Sequence, residues 1–389
     1  MRKQLLLLYY GDWIMIITLI VAFLLFIWRL TRKKDVSVQE NFTDGKKLLF
    51  QRCEQYGLSG AVQKIFDENG IEKARDPDGW DIYLPCGYTS VEFELPKVKI
   101  SNKEQIVFGI KGCDRMVAKN GLWELMQQKY GRDGAKQYVP ETFLLDSPKE
   151  MELFQSQYNP DDVYIMKKNL QRQEGLKLVK GWDSIMSAAK EGDYRLVQEL
   201  LKRPFQVNGR KINMRVYLLV ICRPTEGGSK KTAYVYKNGF MYYTPKSYIV
   251  NSLERDVNIT SGYVPRQVYQ ENPLSHEDFR QWLQMNGYNS EKLFSNINRL
   301  MARTMDAVHE NLCTLPSLAQ NTTFQLFGVD VAPDESLDVK LIEINKGPDL
   351  GAKDERDGRI KYEVEEDTFA LLNAVKIDRP NGFIEIWTN

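Results

Sequence analysis

Two carboxylates and one amide fall close together near the C-terminus: Asp330, Glu343 and Asn345. Alternating apolar residues over 326–331 and 339–344, joined across Pro333-Asp-Glu-Ser, predict two strands and a turn. Residues two apart on a strand share a face, so Glu343 and Asn345 project together. The simplest hairpin register sets Asp330 opposite Glu343, which gathers three oxygen ligands and two negative charges. Two such carboxylates repel unless a cation sits between them. A hard cation such as Mg²⁺, shared with nucleotide phosphates, suits that donor set. For any one of these acids alone, a solvated surface hairpin is the simpler reading. It weakens here because Glu343 and Asn345 interrupt the apolar run Leu341-Ile342-Ile344.

Other elements must bring partners to those acids. Tyr164-Ile-Met-Lys167 and Leu176-Lys-Leu-Val179 read as strands flanking a polar loop with Arg172, Gln173 and Gly175, a hairpin able to fold over phosphates. Lys211 and Arg215 lie on a strand rich in Val and Leu, where a planar guanidinium suits a bidentate carboxylate; without further context a salt bridge to a neighbouring strand is the better reading. Residues 80–84 and 106–110 read as strands, 48–66 and 122–130 as helical. The apolar face Leu293, Ile297, Leu300, Met301, Met305 and Val308 predicts a helix over 293–312 that packs beside the metal hairpin.

Phe324-Gln-Leu-Phe-Gly-Val-Asp330 followed by Leu341-Ile-Glu343-Ile-Asn345-Lys-Gly-Pro348 resembles the metal-binding segment of the tubulin-tyrosine ligase family, the tubulin ligase-like ATP-grasp enzymes. Cys113-Asp-Arg115, Lys119-Asn-Gly-Leu-Trp-Glu-Leu-Met126 and Tyr138-Val-Pro-Glu-Thr-Phe-Leu-Leu145 resemble its central segment, and the likeness runs in order from Trp80 to about Leu372. The resemblance implies an α+β ATP-grasp fold preceded by small α/β subdomains. It also implies roles. Asp330, Glu343 and Asn345 would hold Mg²⁺, or Mn²⁺, on ATP; Lys167, Arg172, Gln173 and Gly175 would meet the phosphates. Gln198, Glu199, Leu200 and Leu201 would form the adenine hinge, and Lys211, Asn213, Thr260 and Ser261 would complete the nucleotide site. Arg215 would take the carboxylate of an incoming amino acid, with Lys237 and Arg266 near the substrate. Three departures stand out: Asn213 replaces the family's Asp, Ser261 its Asn, and the phosphate loop keeps one glycine.

The chain has 389 residues, 43% hydrophobic and 27% charged, room for two or three packed subdomains. A net charge of +1 gives no electrostatic case for nucleic acid. Five scattered cysteines favour free thiols in a reducing compartment, and two histidines without a Cys-x-x-Cys pair argue against zinc.

Residues 13–28, bounded by Trp13 and Trp28, are almost wholly apolar and are followed by Arg29, Arg32, Lys33 and Lys34. That reads as a single, slightly short membrane helix with its basic flank, and the larger part of the chain, in the cytosol. A cleaved signal peptide is the alternative, disfavoured because no small-residue cleavage motif follows. Sequons at Asn41, Asn258 and Asn321 would matter only if that part were lumenal. The expected organisation is an anchor over 1–35, an N-terminal and central α/β region over 36–155, and an ATP-grasp region over 156–380.

The function expected from these parts is ATP-dependent ligation, with an acylphosphate attacked by the amine of glutamate, glycine or tyrosine to make an amide on a protein or peptide, tubulin among the acceptors. Asn213, Ser261 and the glycine-poor loop support an alternative: a non-catalytic nucleotide- or tubulin-binding protein. A small-molecule ligase on the same fold is a third reading.

Overall fold

In the computed structural model, the described residues are 48–52, 57–87, 90–169, 175–191, 193–260 and 264–389. The chain divides into Met1–Glu40 and Asn41–Asn389, and every described residue belongs to the second unit. The anchor expected over residues 13–28 lies outside the described residues. Among those described, no helix is long and apolar enough to cross a membrane.

The strands in chain order are β1 (Leu49–Arg52), β2 (Glu72–Lys73), β3 (Ile82–Leu84), β4 (Ile106–Phe108), β5 (Thr142–Leu144), β6 (Tyr164–Lys167), β7 (Leu176–Val179) and β8 (Leu196–Glu199). They continue as β9 (Gln206–Val207), β10 (Arg210–Thr225), β11 (Gly228–Tyr236), β12 (Phe240–Tyr243), β13 (Thr322–Pro333), β14 (Val339–Asn345) and β15 (Phe383–Thr388). A large mixed sheet runs β15-β11-β10-β13-β4-β3-β1-β2, with β9 and β12 also on β10 and β14 on β13. A smaller antiparallel sheet runs β5-β8-β6-β7. The stretch 36–155 contributes strands to both sheets, β4 to the large one and β5 to the small one.

β10 and β13 form the centre because they are apolar on both faces, as strands buried on both sides must be. Val216, Leu218 and Val220 of β10 and Val329 and Val331 of β13 share one core with Leu293, Ile297, Leu300, Met301 and Met305 of the helix Ser290–Val308. That helix starts where Asn289 accepts the Lys292 amide, and it docks on the β13–β14 turn through Lys292 and Asn296, which donate to the Ser336 and Leu337 carbonyls. Asp334 organises the turn by accepting the amides of Ser336 and Asp338.

Two expectations fail here. Residues 48–66 were expected to be helical, but 49–52 form a strand parallel to β3, and the helix Gly60–Glu68 begins at the cap Ser59. The cysteines are not all free: Cys222 on β10 is bonded to Cys313, with Cα atoms 6.6 Å apart across 91 residues of sequence. Folding brings the segment after the Ser290–Val308 helix back to β10, a meeting that sequence spacing does not announce. The buried Cys113 is a free thiol.

Candidate functional site

Strand register assembles the site. Arg215 of β10 lies opposite Asp330 of β13, and Asp330 lies opposite Glu343 of β14, so one row crosses three strands. Gly328 falls opposite Asn345. The pairing of Asp330 with Glu343 expected from alternation is therefore present, with one addition. The register shifts after Asp330, so Val331 faces Leu341 and Ile342 is the extra residue of a bulge. As a result Ile342 and Glu343 both line the cavity, where strict alternation would have sent them to opposite faces.

That cavity, of about 720 Å³, is walled by both sheets. The small sheet contributes Lys167, Gln198 and Glu199, followed by Leu200 and Leu201; the large sheet contributes Lys211, Asn213, Arg215, Asp330, Glu343 and Asn345. Thr260 and Arg266 also line it. The side-chain amide of Gln198 donates to Thr142 Oγ1 of β5 at 2.6 Å, which ties β8 to its neighbour at this point.

Charge compensation is local. Arg215 donates through Nε to Asp330 Oδ1 at 2.6 Å and through Nη2 to Oδ2 at 3.2 Å, and its guanidinium carbon lies 5.1 Å from the Tyr242 ring centre. Burial pushes Asp330 up despite Arg215. Burial also acts upward on Glu343, yet Lys119 and Lys167 together hold it below the ordinary carboxylate range. Lys119 Nζ is 3.9 Å from Glu343 Oε2, and Asn345 donates its amide to Glu343 Oε1 at 3.2 Å. Desolvation lowers Lys167 to about 8, with Glu343 opposing, and lowers Lys211 to about 8.

Two carboxylates and an amide oxygen in neighbouring register positions fit a hard divalent cation. The surrounding cations Arg215, Lys119 and Lys167 supply the balance otherwise.

Several expected residues fall elsewhere. Lys237 is exposed at the end of β11, where its backbone amide bonds the Gly382 carbonyl, and it does not line the cavity. Gly175 also lies off the cavity walls; at φ +71° it closes the β6–β7 hairpin, and a Cβ there would sit 2.7 Å from Lys168 Cβ. Arg172, Gln173 and Ser261 lie outside the described residues. Arg266 reaches the cavity but is also paired with Asp354 at 2.5 Å. The salt bridge to a neighbouring strand, one of the two readings of Arg215, is the contact it makes. Lys119, Gly328, Tyr242 and Ile342 were missed. Gly328 had a signal in its place two before Asp330: a Cβ there would lie 3.0 Å from Pro348 Cβ and 3.1 Å from Arg215 Nη1.

The sequence model of the tubulin-tyrosine ligase family matches residues 99–381, most of the chain and the whole of this cavity. The chain belongs to that family. Among its relatives, it is 25% identical over 349 residues to tubulin polyglutamylase TTLL7 of Mus musculus, covering 81% of this chain and 36% of the relative. It is 21% identical over 382 residues to tubulin polyglutamylase TTLL6 of the same species, covering 92% of this chain and 44% of the relative. A protein named probable tubulin polyglutamylase ttll-9 of Caenorhabditis elegans is 26% identical over 353 residues, 85% of this chain and 81% of its own length. This family member thus spans less than half the length of the first two.

Proposed function

We propose that the chain is an ATP-dependent ligase on an ATP-grasp fold, joining an amino acid to a carboxylate of a protein or peptide acceptor. The observation that carries the reading is the single cavity in which Asp330, Glu343 and Asn345 converge with the buried Lys167 and Lys211. Buried ammonium groups driven toward neutrality are stabilised by a polyphosphate, and clustered carboxylates by a cation. Mg²⁺ or Mn²⁺ held by Asp330, Glu343 and Asn345 would screen phosphate charge and polarise the transferred phosphoryl group.

An acceptor carboxylate oxygen attacks the γ-phosphorus of ATP, ADP leaves, and an acylphosphate forms. The amine of the incoming amino acid then attacks the acyl carbon, phosphate departs, and the amine loses its proton as the amide forms. Lys167 and Lys211 orient the phosphates, Gln198 to Leu201 border the base, and Arg215 stands where both the metal ligand Asp330 and an amino-acid carboxylate can be reached. The names of the relatives, tubulin polyglutamylases, support glutamate as the amino acid and tubulin as the acceptor. Incubation of the full chain with Mg-ATP, tubulin or glutamate-rich peptides, and labelled glutamate, glycine or tyrosine in parallel tests it. Label from glutamate should enter the acceptor as an amide; no transfer of any amino acid, with ATP bound, would leave a nucleotide-binding protein, the reading that Asn213 favours.

Attachment to a membrane through residues 13–28, with the ligase part cytosolic, is a separate proposal. Resistance to carbonate extraction supports it, and release into the supernatant removes it. Asn258 and Asn321 do not report on topology: both are buried, and their amide nitrogens donate to backbone carbonyls at 2.6 Å and 2.8 Å. The Cys222–Cys313 bond also withdraws the cysteine argument for a reducing compartment.

A further inference from the structure

β14 ends at Asn345, opposite Gly328, and the backbone ladder with β13 ends there too. The next carbonyl, that of Lys346, is buried and has left the strand pairing; a buried carbonyl needs another donor. Gln325, fully buried three residues before Gly328 on β13, supplies it through Nε2 at 2.6 Å. Its own Oε1 is left buried without a partner. Flipping the amide would set that oxygen against the Lys346 carbonyl, acceptor to acceptor, so the observed orientation leaves one bond unmade and keeps this contact.

The other end of Lys346 is fixed as well. Its side chain is 7% exposed, and its ammonium forms an ion pair with Asp114 at the start of the helix Cys113–Val117. Asp114 is itself seated, because its backbone amide donates to Glu92 Oε1 at 2.6 Å and Glu92 is paired with Lys111 at 3.0 Å. The cluster Glu92, Cys113 and Asp114 has the composition of a cation site. Its acids are already committed, to Lys111, to Lys346 and to the helix start, so its role is mechanical.

We propose that Lys346 is a positioning residue. Gripped by Gln325 at its carbonyl and by Asp114 at its ammonium, it sets the orientation of Asn345 and of the Gly347-Pro348 turn along the cavity wall. This rests on the reading of Asp330, Glu343 and Asn345 as metal ligands, and it adds a link from that site to the helix Cys113–Val117.

The test uses the full chain with ADP, titrated with Mn²⁺ while free Mn²⁺ is followed by electron paramagnetic resonance. Lys346→Met keeps the length of the side chain and removes the ammonium; it should weaken Mn²⁺ binding about tenfold, the scale for partners that orient metal ligands. The melting temperature should stay near that of the parent. Lys346→Arg, which can still reach Asp114, should restore affinity to within about threefold of the parent, below that scale. Asp114→Asn combined with Lys346→Met should be no worse than Lys346→Met alone, since one contact is lost once. Parent-like Mn²⁺ binding by Lys346→Met overturns the proposal. So does weakened binding that Lys346→Arg fails to rescue, accompanied by a lowered melting temperature, which would make the residue structural. If the parent chain itself binds no Mn²⁺ with ADP, the metal reading falls and this proposal with it.

Discussion

On β13 and β14 each acid has cations at hand: Arg215 forks onto the buried Asp330 at 2.6 and 3.2 Å, and Lys119 lies 3.9 Å from the partly buried Glu343. Lys167 and Lys211 are both buried, yet Lys167 has Lys119 and Lys211 as like-charged neighbours with Glu343 in opposition, and desolvation dominates both. The acids are compensated in place, so a metal has to exchange with partners already there. The lysines lack negative charge, which a phosphate chain supplies. The acids are set up to trade partners and the lysines, one from each sheet, to gain one.

The largest expected effect comes from removing charge from the compensated acids. Glu343→Gln keeps shape and should lower turnover by at least about a hundredfold, more than the 10–100-fold typical of groups that merely orient a ligand, with little change in thermal stability. Wild-type turnover in this variant would make the hairpin structural. Arg215→Lys comes next. A lysine cannot reproduce the two-point contact with Asp330, so Mg²⁺ dependence and amino-acid KM should both rise, each about 10–100-fold. A change confined to the amino acid would show that Asp330 does not depend on the fork.

The two lysines have a pH signature. Below about pH 8 Lys167 and Lys211 carry their charge, and as pH rises through about 8 they lose it. Nucleotide affinity should therefore fall above pH 8. Because bound phosphate favours the protonated form, binding ADP near pH 8 should take up protons, measurable by calorimetry in buffers of different ionisation enthalpy. Proton release would reverse the comparison. Lys237→Ala should do least, within about twofold in kcat/KM, because that side chain is exposed and off the cavity. A loss of a hundredfold would return Lys237 to the substrate site.

Much of this was legible in the chain. Alternation around Asp330 and Glu343 gives the hairpin, whereas their facing each other rests on the bulge, since the register at the turn continued without it would set Asp330 opposite Ile342. The bulge at Ile342 was not legible, because an inserted residue leaves the apolar composition unchanged. The strand around Arg215 was readable, but its neighbour was not: whether a buried guanidinium meets Asp330 or a ligand depends on which strand lies beside β10, and 115 residues separate the two. Lys237 followed a motif in order yet stands at a strand end where one residue decides inside from outside. The Cys222–Cys313 pair and the burial of Asn258 are likewise products of long-range packing.

The most direct test follows the acceptor oxygen. With oxygen-18 in both positions of the acceptor carboxylate, Mg-ATP, glutamate and the full chain, an acylphosphate route transfers one labelled oxygen to inorganic phosphate for each amide formed. Mass spectrometry of the phosphate should show that one-to-one ratio; amide formation with unlabelled phosphate, or ADP release that needs neither acceptor nor amino acid, would contradict the assignment of this cavity to carboxylate activation.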